Sequence, residues 1–182
     1  SMLLRNALFI ALILSFTVHT LSIAMRTYIG GRLPFSNGSE TMLLIAWVAL
    51  LVAVLWGRRI QIAIPFGFLI SGCSLLVAYL GMINPKITPL VPVLSSPLLS
   101  IHVSVIMIAY TLLGFTMLNS LVSLIQILIH KKSKGKEALA LKLEQNRVYS
   151  LICLYPSILF LGAGIFIGAV WANISWGRYW GW

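Results

Sequence analysis

Five long apolar runs, separated by short polar stretches, make up most of this chain. They cover about residues 2–25, 41–56, 60–83, 97–129 and 148–171. A helix of about 20 residues crosses a hydrocarbon core of ~30 Å, and the runs have that length and lack the regular alternation of a barrel strand. The pattern therefore predicts five membrane-spanning helices. The second run is barely long enough and is expected to begin a turn earlier. The fourth would reach roughly 50 Å as a helix, so it must tilt or project from the bilayer.

The polar stretches carry start and stop signals. Ser95-Ser96-Pro97 offers a hydroxyl cap followed by proline at the first helical position, which fixes the start of the fourth helix. Asn37 or Ser36 can cap the second helix. Glu40 then falls in its first turn, where a carboxylate interacts well with the helix dipole, although a ligand-facing role is also open to it. Pro85, Pro89 and Pro92 keep the stretch 84–96 from forming a regular helix. Residues 136–147 are polar and helix-prone. Leu139, Leu141 and Leu143 alternate rather than forming a stripe, so a separate interfacial helix is expected there.

Composition turns these runs into a class. The chain of 182 residues is 60% hydrophobic and 9% charged, with a mean hydropathy of +1.01. Asp is absent, and Glu occurs only at 40, 137 and 144. A soluble domain of this size cannot hide so much apolar surface. The fold class expected is all-α: a polytopic membrane helical bundle, one membrane domain over 1–182, with no repeat or linker. The net charge of +10 does not point to nucleic acid, because the basic residues lie in short loops between apolar runs. Nine of the thirteen Lys and Arg (5, 58, 59, 131, 132, 134, 136, 142, 147) fall on one side, and four (26, 32, 86, 178) on the other. The positive-inside rule then places the N-terminus in the cytoplasm and the C-terminal segment outside. Cys73 and Cys153 lie inside apolar runs, without metal or redox spacing, and read as buried structural thiols. Trp47 and Trp56 read as interfacial residues.

Candidate chemistry concentrates at the end of the sequence. Trp171-Ala-Asn-Ile-Ser-Trp-Gly-Arg-Tyr-Trp-Gly-Trp182 holds four of the six tryptophans. Interfacial belts place one or two aromatics per span, at helix ends. Here the cluster is broken by Gly177 and Gly181, which let a backbone turn and approach a flat ligand. An outward-facing aromatic shelf suits a flat, anionic, apolar molecule such as a porphyrin. Anchoring at the interface is the alternative.

His102 lies five residues into the fourth helix, on the same outer side by an independent argument. An imidazole in an apolar helix either bonds a neighbouring serine or carbonyl, or serves as a ligand. Imidazole suits iron, so an axial ligand to haem is expected, with Nε2 bound and Nδ1 donating. Arg26, Arg32 and Arg178 lie on the correct side for propionates, or for lipid headgroups. His19 is a second, deeper ligand candidate, with a bond to Thr17 or Thr20 as its structural alternative. His130 reads as a solvated surface residue.

Gly168-Ala-Val-Trp-Ala-Asn-Ile-Ser-Trp-Gly-Arg-Tyr-Trp-Gly-Trp182 resembles the start of the tryptophan-rich WWD motif of haem-handling proteins. Leu33-Pro-Phe-Ser-Asn-Gly-Ser-Glu-Thr-Met42 and Ile101-His-Val-Ser-Val-Ile-Met-Ile-Ala-Tyr110 agree with the CcsA (ResC) cytochrome c biogenesis proteins of System II. The resemblance covers nearly the whole chain.

It implies presentation of haem b at the outer face of a bacterial inner membrane, for covalent attachment to the Cys-x-x-Cys-His motif of apocytochrome c. It implies a CcsB (ResB) partner subunit or fused domain, and the possibility of haem export. His102 matches the first of two external axial histidines. Trp171, Trp176, Arg178, Tyr179, Trp180 and Trp182 match the haem-holding segment. A haem chaperone of the CcmC type, or a structural membrane subunit, is the alternative. In the family the motif continues with an Asp, and later helices carry the second external histidine. The sequence thus reads as an N-terminal fragment, with Ser1-Met2 as an expression remnant. By itself it is expected to bind haem weakly at best and to lack synthase activity.

Overall fold

The computed structural model describes residues 2–60, 62–81, 87, 92–130 and 136–180. It is all-helical among those residues. Five helices are long and apolar enough to cross a membrane: α1 (Met2–Gly30), α2 (Gly38–Trp56), α3 (Ala63–Leu80), α4 (Pro97–His130) and α5 (Lys136–Trp176). A short 3-10 turn, Pro92–Ser95, leads into α4.

Local chemistry sets the starts. Asn37 Oδ1 accepts the Glu40 amide at 2.8 Å, capping α2 a turn ahead of its apolar run. The Ser96 carbonyl accepts the amides of Leu99 and Ser100, so α4 begins at Pro97 as expected. The stretch 136–147 does not form a separate interfacial helix. It is the first part of α5, a single rod of 41 residues. Neither glycine nor proline stands between 136 and 155 to interrupt it. At 1.5 Å per residue α5 is about 61 Å long and α4 about 51 Å. Their hairpin therefore outreaches a hydrocarbon core of ~30 Å.

A polar seam holds that hairpin in register. Asn119, buried in α4, donates to the Asn146 carbonyl at 2.6 Å and to Ser150 Oγ at 2.9 Å. Asn146 donates in turn to Ser123 Oγ and Gln126 Oε1. The apolar core lies where α2 meets the other helices: Leu44, Val48, Ala49 and Val52 pack with Phe66, Leu112, Phe115 and Cys153. Helix α1 lies against α2 and α3 and buries only Leu12.

Neighbouring helices run antiparallel, which sorts the charges by end. Arg5, Arg58, Arg59, Lys142 and Arg147 share the end where α1 begins. Arg26, Arg32 and Arg178 share the end where α4 begins. Lys86 lies outside the described residues, as do Lys131, Lys132 and Lys134.

Two inward assignments change. Cys153 is buried, but Cys73 is exposed. Trp47 sits midway along α2 rather than at an interface. Its ring lies 5.6 Å from that of Phe16, and Nε1 donates to Thr20 Oγ1 at 2.9 Å. In a chain that is apolar all round, hydrophobicity does not say which face turns inward.

Candidate functional site

His102 lies in the seam between α4 and α5, half-buried. Its Nδ1 stands 2.7 Å from the carbonyl oxygen of Gly164. A carbonyl only accepts, so Nδ1 carries the proton and the neutral ring keeps its lone pair on Nε2. The neighbouring serine takes no part, since Ser104 Oγ donates to the Ser100 carbonyl. One turn further along α5, Gly168 makes room for the ring. A Cβ there would lie 2.5 Å from Cε1 and 2.7 Å from Nδ1 of His102. The imidazole thus occupies the space that a side chain at 168 would fill.

Trp171 follows Gly168 by three residues, about 4.5 Å along the axis and on the same flank. Its indole Nε1 is buried and has no hydrogen-bond partner among the described residues. A buried donor left unpaired is uncommon, and it suits an oxygen-bearing ligand. Trp176 meets Trp171 edge-on, with centroids 4.8 Å apart and planes at 67°. Helix α5 stops at Trp176 because Gly177 adopts φ +69, while its amide bonds the Asn173 carbonyl at 2.8 Å. Arg178, Tyr179 and Trp180 continue past that turn, all exposed. Trp182 and Gly181 lie outside the described residues. The aromatic segment is therefore a half-buried root at Trp171, an edge-on second ring and an exposed tail, with no flat shelf among its described rings.

His19 belongs to another seam. Its Nε2 donates to the Leu43 carbonyl of α2 at 2.9 Å. The threonines expected as its partners are not used, because Thr17 and Thr20 bond the carbonyls four residues back in α1. His19 lines a cleft of about 610 Å³ with Ser15, Ser22, Leu50, Phe68 and Ser71.

The cations of this end also separate. Arg32 grips Glu40 through two bonds, 2.9 and 2.8 Å, and the Ser36 amide donates to the same carboxylate at 2.8 Å. Glu40 is only 2% exposed. This cluster ties the loop before α2 to its first turn and commits Arg32 to an internal partner. Arg178 remains exposed beside the aromatic tail. Among the described residues no three His, Cys, Asp or Glu converge on a common point.

Gly164 and Gly168 were not singled out as site residues from sequence. Their spacing is the signal that was available: two small residues four apart on one helix allow a neighbouring helix to approach closely.

Comparison with known proteins bears on the family. A family model described as cytochrome C assembly protein matches residues 35–182. Protein NrfI of Wolinella succinogenes is 39% identical over 168 residues, covering 92% of this chain and 18% of NrfI. The cytochrome c biogenesis protein CcsA of Chlamydomonas reinhardtii is 35% identical over 164 residues, covering 84% of this chain and 44% of that protein. A CcsA of Synechococcus is 30% identical over 196 residues, covering 90% and 62%. The chain thus spans less than two thirds of the length of each of these relatives, from 18% to 62%.

Proposed function

The chain belongs to the cytochrome c assembly protein family, of the CcsA type, and on that premise we propose that it forms part of a site presenting haem b for attachment to apocytochrome c. His102 serves as one axial ligand, through Nε2. The observation that carries this reading is the 2.7 Å bond from Nδ1 to Gly164, which selects the tautomer an iron ligand needs. Trp171, with its unpaired buried N–H, and Trp176 form the inner wall of the site. Arg178, Tyr179, Trp180 and Trp182 would supply the outer part, with Arg178 as the cation available to the propionates.

When bound, haem supplies the iron and the vinyl groups. The residues of this chain contribute placement: an oriented imidazole, an aromatic wall and a cation. Holding vinyl and thiol at reacting distance is the whole of their catalytic contribution. The charge split by end supports an outward-facing site, and the membrane proposed for it is a bacterial inner membrane, where apocytochrome c would reach it. A CcsB-type subunit or fused domain completes the assembly.

The test is a chimera in which residues 2–182 replace the matching segment of a complete CcsA, produced together with its partner subunit and an apocytochrome c. The expected result is a haem absorbance band in the purified chimera and covalent haem on the cytochrome. His102→Ala should shift or abolish that band. An unchanged band and unchanged cytochrome yield in the variant would sink the assignment. A haem band without covalent cytochrome would favour a carrier of the CcmC type.

A further inference from the structure

At the opposite end of the bundle from His102, two clefts open side by side between α1 and the start of α3. The first, of about 550 Å³, is lined by Arg5, Asn6, Phe9, Arg58 and Ile64, with the Gly57 turn behind them. The second, of about 950 Å³, is lined by Leu4, Leu8, Pro65, Phe68 and Leu69. Arg5 and Ile64 line both, so the clefts form one groove with a cationic mouth and an apolar trough.

Three observations give this groove its chemistry. The Arg58 guanidinium carbon lies 5.0 Å from the centroid of the Phe9 ring, which holds the cation over α1 at the mouth. Neither Arg5 nor Arg58 forms a salt bridge among the described residues. Of the chain's three Glu side chains, Glu40 is held by Arg32 at the other end and Glu144 by Arg147 on α5, and Glu137, exposed in the first turn of α5, forms no salt bridge and lines neither cleft among the described residues. The trough, finally, is lined by apolar residues near the start of α1 and the start of α3, two helices long and apolar enough to cross a membrane.

We propose that this groove holds one anionic phospholipid, its phosphate between Arg5 and Arg58 and an acyl chain along Leu4, Leu8, Phe68 and Leu69. A zwitterionic lipid would bring its own cation to a mouth already carrying two. A soluble anion would leave the trough unused. An anionic diacyl lipid satisfies both halves, and the bilayer supplies it in the correct orientation. Such a lipid fills the space that α1 leaves against α3 and stabilises the packing of a helix that buries only Leu12 in the protein.

The test uses the 182-residue chain in nanodiscs made from equal parts of phosphatidylglycerol and phosphatidylcholine, followed by native mass spectrometry of lipids retained after release into detergent. The expected result is preferential retention of one phosphatidylglycerol. Arg5→Gln together with Arg58→Gln should lower that preference about 25-fold, each arginine contributing about fivefold at an anionic surface. Arg59→Gln, outside the groove, should leave it unchanged. Leu8→Trp fills the trough with both arginines intact and should lower retention as well, which guards against a charge variant that folds poorly. Equal retention of the two lipids by the wild type, or an unaltered preference in the double variant, overturns the proposal. Displacement of the lipid by micromolar haem would also overturn it, by identifying a different anionic amphiphile as the occupant.

Discussion

His102 and His19 are each half-buried in an apolar helix, and each ties one ring nitrogen to a backbone carbonyl of the neighbouring helix: Gly164 at 2.7 Å, Leu43 at 2.9 Å. Burial and bond length do not tell them apart. The committed nitrogen does. His102 spends Nδ1 and keeps Nε2, the nitrogen farther from its own backbone, beside a glycine-cleared stretch of α5 that ends in tryptophans. His19 spends Nε2 and keeps Nδ1, which lies close to its own helix. Under the proposed function the first ring is oriented to serve as a ligand, whereas the second ties α1 to α2 through the Leu43 carbonyl. An intramembrane histidine is thus read by which nitrogen the fold has already used.

The sharpest way to break this comparison is to exchange the roles. In the chimera, His102→Ala should remove the haem band, while His19→Ala should leave its position unchanged and lower only thermal stability. Equal spectral effects would erase the distinction.

Next in size is the anchor of the α2 side. Glu40→Gln leaves Arg32 half-buried beside a neutral amide and weakens the bond from Ser36. Breaking a buried pair costs about 3–5 kcal/mol, and the partial exposure of Arg32 reduces this to about 2 kcal/mol. A thermal melt in detergent should fall accordingly, with the haem band of the chimera kept in place. A shifted band would mean that the two regions are coupled.

Gly168→Ala probes the other side. The added methyl meets the His102 ring at 2.5 Å, so the ring must move. Overpacking of this kind costs about 1–3 kcal/mol. Here the spectrum should change along with the melt, the reverse of Glu40→Gln. The smallest effect belongs to Glu144→Gln on the polar part of α5. Its pair with Arg147 is exposed on both sides, and exposed pairs contribute little. Neither the melting temperature nor the spectrum should move.

Much of this arrangement was legible in the residues. Ser96-Pro97 fixed the start of α4, and with it the depth of His102. Asn37 and Glu40 marked the first turn of α2. What escaped did so for a common reason: in a helix that is apolar on every side, inward and outward positions look alike. The sequence marks Trp47 as interfacial, though it packs on Phe16 and Thr20, and marks Cys73 as buried though it is exposed. The partner of His19 was sought among threonines on its own helix. Those hydroxyls were already used by the carbonyls one turn back, and the true partner lies across a helix contact with no local signature. Helix α5 is continuous across a boundary in polarity, because polarity changes at 148 while helix propensity does not. The roles of Gly164 and Gly168 needed the facing ring to become visible.

The length of α5 has a mechanical consequence. Pro156 stands 20 residues from Lys136 and 20 from Trp176. Its missing amide leaves the Ile152 carbonyl without its usual donor, at the midpoint of the rod. The rod thus has a weak point between two arms of about 30 Å. A flex of roughly 5° there displaces one tip by about 2.6 Å relative to the line of the other arm. Bending at Pro156 therefore lets the polar arm move while the arm that carries Gly164, Gly168 and Trp171 keeps its place against α4.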